Sequence, residues 1–300
     1  MMVQPYTTLR IAKDLCICNV RIYGELSSAS IPILAIHPIG VGLSSHFWDR
    51  FLARWFSLGQ TYPLILPDLW GCGQSSQPFK QLTPSLWAEP LLELLADHIS
   101  RPVVLMVQGA ALPVALEVTK QTPELVAGLI MIGPPGWKVM GQDANPILSS
   151  MLWTLLFRGP LGSAFYLWAR RRAFLFSFSK RELFAEAEDI DSEWLDTLES
   201  GARPMRNRWA VFSFLSGFWR RNYHPQLQSI SIPVLALFGE RASGISRVAR
   251  ADAADQRALI YQTMIPGARS ICIPGRNVLP YESTDSCVDA VSAWLHELQL

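Results

Sequence analysis

Charge of either sign is what this chain has least to spare. Its 26 Lys and Arg face 25 Asp and Glu, a formal net charge of +1 with only 17% of residues charged. Without a global basic excess nothing attracts a phosphate backbone, so nucleic acid is not an expected partner. Long apolar runs are missing as well: no stretch approaches the ~18 consecutive apolar residues a membrane span needs. Met1-Met2-Val3-Gln4-Pro5 leads into polar sequence without the apolar segment of a secretory leader, so a cytoplasmic location is expected, at most peripheral to a membrane. Histidine is scarce, five in 300 residues, with none between His224 and His296. The five cysteines (Cys16, Cys18, Cys72, Cys272, Cys287) are scattered and odd in number. Cys16 and Cys18 project from one strand face, but no second close pair completes a zinc site, and reduced thiols are the expectation. Neither a metal nor a cofactor is predicted.

What the chain does have is apolar mass. Hydrophobic residues make up 50% of it and eleven are tryptophan, enough for one large α/β domain with an insertion. Aromatics bury large areas, so the tryptophans predict a big core, with an apolar ligand cavity or docking face as the sharper alternative.

The stretch from Val103 to Glu117 organises the rest. An apolar, β-branched run bends at Gly109-Ala110-Ala111 and continues at helical spacing, which reads as strand, tight turn, helix. Around it, residues 7–26 alternate as an antiparallel hairpin. Ile31–Ile36, Tyr62–Leu66, Leu125–Ile132, Ile232–Glu240 and Arg269–Ile273 are the continuous apolar runs of buried strands. Ser45–Leu58, Thr83–His98 and Asp285–Leu298 carry helical spacing, with Thr83 as N-cap before Pro84 and Pro90 predicting a kink or break. This alternation argues an α/β fold, a doubly wound, mostly parallel sheet. Residues 137–225 interrupt it with helix-period segments rich in Trp, Phe, Leu and Arg. The expected division is a core of 1–136 and 226–300 and an inserted helical cap of 137–225.

The motifs on these elements resemble the α/β-hydrolase superfamily over nearly the whole chain. Val107-Gln108-Gly109-Ala110-Ala111 lies where that family has its G-x-S-x-G nucleophile elbow. His37-Pro38-Ile39-Gly40 resembles the H-G-x-G turn that supplies half of an oxyanion hole. Asp68-Leu69-Trp70-Gly71-Cys72-Gly73-Gln74-Ser75 resembles the D-x-x-G-x-G-x-S loop, Leu237-Phe238-Gly239-Glu240-Arg241 the segment that carries the acid, and Gly275 to Glu282 the G-x-x-H-x-x-x-x-E segment that carries the histidine. The phrases His37–Ser44 and Gly275–Ser283 are similar to a subgroup of cyanobacterial and plastid lineages. The resemblance implies a nucleophile, an acid and a base at Gly109, Ala242 and Val278 (Asn277 if the register slips by one), and none of these side chains does that chemistry. Triad-dependent hydrolysis is therefore not expected.

What the resemblance leaves is a cavity between sheet and cap, read as a non-catalytic site for an apolar small molecule or lipid. Its candidate residues are His37, Ile39, Gly40, Gln108, Gly109, Ala110, Trp137, Arg276 and Asn277, with N–H groups around Gly40 and Ala110 facing a carbonyl or carboxylate. Several of these have a plainer reading: His37 as a pin for its own loop, Gln108 as a loop lock, Arg276 and Asn277 as links to a neighbouring loop. Two rivals stand beside this one. An unorthodox enzyme would use His37 or Cys72, although a thiolate needs a cationic or basic partner and none is near in sequence. An interaction or assembly factor would use the cap itself, where Arg170-Arg171-Arg172 sits among Trp153, Phe157, Phe165, Tyr166, Trp168, Phe174, Phe176 and Phe178, as a face for anionic lipid or a hydrophobic partner. The plainer reading of that face is a packed lid with a solvated basic corner.

Overall fold

The computed structural model describes residues 6–243 and 254–299. Its strands are β1 (Tyr6–Lys13), β2 (Cys16–Tyr23), β3 (Ile33–Ile36), β4 (Leu64–Pro67), β5 (Val103–Gln108), β6 (Val126–Ile132), β7 (Val234–Gly239) and β8 (Ala268–Ile273). They form one sheet in the order β1-β2-β4-β3-β5-β6-β7-β8. The β1–β2 and β2–β4 pairs are antiparallel and the rest parallel. The apolar runs are continuous because the parallel strands are covered on both faces. Val104, Met106, Ile130, Ile132, Leu235 and Leu237 feed one core, while Leu105, Val107, Leu129, Met131, Ala236 and Phe238 feed the other.

Three helices follow the early strands: α1 (Asp49–Ser57), α2 (Pro84–Glu93) and α3 (Leu112–Gln121). α1 and the closing helix Thr284–Glu297 fill one core; α2 and α3 fill the other. Trp48, Trp55, Trp70, Trp87 and Trp194 are among the largest fully buried side chains. Thr83 caps α2, accepting from Leu86 N at 3.3 Å. The helix then passes through Pro90 without the expected break. One backbone bond is forfeited there, while Trp87, Ala88 and Leu91 around it stay buried. The change of pitch comes later, as a π turn over Leu94–Ile99.

Between β6 and β7 the described residues form helices only, among them Pro146–Met151, Pro160–Ala169, Arg172–Phe178, Ser192–Ala202 and Arg208–Leu215. This insert has an apolar cluster of its own, with Trp153, Phe157, Tyr166, Trp209 and Phe212. It lies over the carboxyl ends of the strands. A Cβ on Gly42, in the loop after β3, would overlap the Leu198 carbonyl, and one on Gly201 would overlap the Gly42 carbonyl, so two glycines form the seam between loop and insert. The limbs of the insert are tied to each other: Ala144 N donates to Arg220 O at 3.2 Å, Tyr223 N to Met140 O at 2.8 Å and Asn222 N to Asp143 Oδ1 at 3.1 Å.

Candidate functional site

β5 delivers the chain to Gly109, which has φ +61 and opens a single 3₁₀ turn into α3. A left-handed conformation costs an L-residue roughly 1–2 kcal/mol and glycine nothing. A Cβ built on Gly109 would meet only Gly133 O, at 3.9 Å. Gly109, Ala110, Gly40 and Gly133 are all part-exposed, so the elbow borders accessible space. The first N–H groups of a helix have no partner within it, which leaves the Ala110 N–H for an acceptor outside the helix.

The next residue back, Gln108, is buried. Its Nε2 donates to Asn277 O at 2.6 Å, and its Oε1 has no hydrogen-bond partner among the described residues. Reversing the amide would set oxygen against the Asn277 carbonyl, so the orientation is fixed. Asn277 in turn crosses to the insert: Nδ2 donates to Glu182 O at 2.6 Å and Ser243 O at 3.0 Å, and its N–H to Leu183 O at 3.0 Å. Arg276 does likewise, its guanidinium donating to Ser243 Oγ at 2.6 and 3.0 Å and to Arg181 O at 2.6 Å. The expectation that Arg276 and Asn277 face a ligand is thus corrected: their donors are spent on backbone and Ser243. Val278 and Ala242 are buried and apolar.

His37 is corrected too. It is fully buried, with Nε2 accepting from Leu69 N at 3.0 Å and Nδ1 bonded to Pro38 O at 2.8 Å. An acceptor at Nε2 places the proton on Nδ1, so the ring is a neutral pin between the loops after β3 and β4 and offers nothing to a ligand. Burial lowers its pKa against the pull of Asp68. Asp68 holds the second loop, accepting from Ser45 N and Gln74 N, each at 2.8 Å. A Cβ on Gly73 would overlap its carboxylate. The Cys72 thiol lies within that loop and is buried; desolvation, then the Asp68 charge, raises its pKa, which keeps it protonated.

Ile39 is buried in the core. Trp137, expected at the ligand, stands instead at the neck of the insert, stacked on His224 with centroids 4.4 Å apart and edge-on to Tyr261. Of the predicted residues the fold brings together Gly109, Ala110, Gln108 and Asn277, while Trp137 goes elsewhere. Gly133 and Ser243 were missed. Gly133-Pro134 reads only as a strand stop, and nothing in sequence ties Ser243 to residues 276 and 277.

A second network fastens the insert to the core. Asp191 caps the helix Ser192–Ala202 by accepting from Trp194 N at 2.9 Å, accepts from the Tyr281 hydroxyl at 2.7 Å, and pairs with Arg50. Arg50 also lies 3.8 Å above the Tyr281 ring and reaches Glu193 at 2.8 Å. Although burial pushes the Asp191 carboxyl up, these donors together hold it below its ordinary value. Glu282 accepts from Ala185 N and, at 2.8 Å, from Arg276 N; burial raises its pKa.

A mostly parallel eight-stranded sheet in this order, with an elbow after the fifth strand and helices spliced in after the sixth, is an α/β-hydrolase fold. The model of the alpha/beta hydrolase family matches residues 33–291, and the chain belongs to that family. Uncharacterized proteins of Mycobacterium tuberculosis and Mycobacterium bovis are 32% identical over 121 residues, 40% of this chain. The match spans 33% of the length of those relatives. Among solved structures, a thermophilic esterase from Thermogutta terrifontis has a TM-score of 0.72 at 18% identity, covering 98% of this chain and 100% of its own. A serine hydrolase involved in carbazole degradation has 0.74 at 16% (97% and 99% covered), and a bromoperoxidase from Bacillus anthracis 0.71 at 16% (97% and 100%). At these identities the likeness is one of fold.

Proposed function

We propose that this chain is a hydrolase-fold protein whose triad positions are Gly109, Ala242 and Val278, and that it binds an apolar molecule with a polar head rather than cleaving one. The carrying observation is Gly109: the turn that presents a nucleophile is kept, in its left-handed conformation, with no side chain and with only Gly133 O, at 3.9 Å, near where a Cβ would stand. His37 and Cys72 do not replace it, since one spends both ring nitrogens on backbone and the other is a buried thiol. The Ala110 N–H suits a carbonyl or carboxylate oxygen, and the unpartnered Gln108 Oε1 suits a hydroxyl or N–H donor. A fatty acid in its protonated form, a fatty amide or a fatty alcohol meets those demands. All five cysteines are free thiols, which accords with a cytoplasmic protein.

Titration with the fluorescent fatty acid cis-parinaric acid tests this, alongside p-nitrophenyl butyrate hydrolysis. The wild type is expected to bind the probe with no ester turnover above background. Gly109→Asn, which fills the recess with a residue tolerant of the left-handed region, is expected to bind about tenfold more weakly, some 1.4 kcal/mol. Ester turnover by the purified wild type, or unchanged binding by Gly109→Asn, would overturn the reading.

A further inference from the structure

The outer face of the insert is apolar where a water-facing helix pair is ordinarily polar. Helix Pro146–Met151 continues through a π turn to Phe157, then Gly159-Pro160 turns the chain into Pro160–Ala169. Their inward residues, Trp153, Phe157, Tyr166 and Ala169, are buried. Outward stand Ile147 (72% exposed), Leu148, Met151, Leu155 (68%), Leu161 (67%) and Trp168. Helical spacing puts Ile147, Leu148, Met151 and Leu155 on one side of the first helix, where the only exposed polar side chains beside them are the small hydroxyls of Ser150 and Thr154, with no charge. Scattered exposed leucines need no explanation, whereas a contiguous patch on consecutive helices does.

Charge identifies the occupant. Residues 144–181 contain Arg158, Arg170, Arg171, Arg172, Lys180 and Arg181 and not one Asp or Glu, in a chain whose formal net charge is +1. Some of this charge is answered within the fold: Arg172 pairs with Asp196 and Glu199, and Arg181 with Glu182. Arg158 and Arg171, which flank helix Pro160–Ala169 in the chain, and Lys180 remain exposed. Apolar side chains flanked by cations match the boundary between acyl chains and anionic headgroups. No helix among the described residues is long and apolar enough to cross a membrane, so the contact lies on the surface.

We propose that the Pro146–Ala169 helix pair docks this protein on an anionic lipid surface, Ile147, Leu148, Met151, Leu155, Leu161 and Trp168 entering the interface and Arg158, Arg171 and Lys180 meeting the headgroups. This stands whether or not the recess at Gly109 holds a ligand. The test is co-sedimentation of the full chain with vesicles of phosphatidylcholine and phosphatidylglycerol (7:3) and of phosphatidylcholine alone. The wild type is expected to bind the anionic vesicles several-fold better at low than at high salt, and better than the neutral ones at low salt. L155S/L161S is expected to lose at least tenfold in partition with its melting temperature unchanged; if it melts early, R171E/K180E with an unchanged melting temperature serves instead and should lose several-fold. Absence of binding by the wild type at low salt, partition unaffected by these substitutions in a folded variant, or a stable dimer in sedimentation equilibrium that L155S/L161S dissociates would each overturn the proposal.

Discussion

At the level of single residues, backbone conformation decides more than side-chain identity. Asp14 and Leu15 join β1 to β2 with φ +48 and +63, a two-residue connection in which both positions are left-handed and Leu15 is fully exposed. Such a turn favours Gly at its second position. Leu15→Gly is therefore expected to stabilise the protein by roughly 0.5–1 kcal/mol, the relief of strain exceeding the extra chain entropy of glycine, read as a higher urea midpoint. Gly109→Ser is expected to cost about 1 kcal/mol through its φ and to leave ester hydrolysis at background, since a hydroxyl without a base stays protonated; turnover in that variant would reveal an acid–base pair at the elbow. The elbow was legible because a β-branched run stopping at small residues before helical spacing is a local pattern. The duties of Gln108, Arg276 and Asn277 were not, because each depends on a partner from a distant segment: Asn277 O for the first, Ser243 and the 181–184 backbone for the others.

At the level of elements, the sheet was readable because strands buried on both faces leave continuous apolar runs, and the absence of strands from residues 137–225 was readable for the converse reason. How the insert sits on the core was not. Its seam is made by Gly42 and Gly201, which have no side chains to announce a contact. Gly201→Ala is expected to lose about 1–3 kcal/mol, the cost of forcing two backbones apart, with a lower melting temperature and faster proteolysis of the insert. The Asp191 network adds a pH dependence. Its carboxyl titrates lower in the folded chain than unfolded, so its contribution is present above the unfolded value of about 4 and fades as pH falls through the folded one. The melting-temperature gap between wild type and Asp191→Asn should thus narrow from pH 7 to pH 3. Glu282, raised by burial, pulls the opposite way, but both proteins carry it and the difference cancels it.

At the level of the whole molecule, a net charge of +1 describes an average from which residues 144–181, with six cations and no acid, depart. The absence of acids from residues 144–181 is visible in the sequence, but its meaning depends on which apolar residues face outward, and burial alone decides that. The insert also closes on itself. Ala144 and Arg220 are hydrogen-bonded, and Met140 O is joined to Tyr223 N. More than seventy residues therefore leave and return through one stem, yet Leu175, Phe184, Trp194 and Leu198 among them share a core with Ile132 of β6 and Leu237 of β7, so loss of their order strips cover from the sheet. Loosening of that lobe is thus expected to be felt beneath it, and hydrogen exchange should register amides of the insert and of the carboxyl ends of β6 and β7 trading protons together.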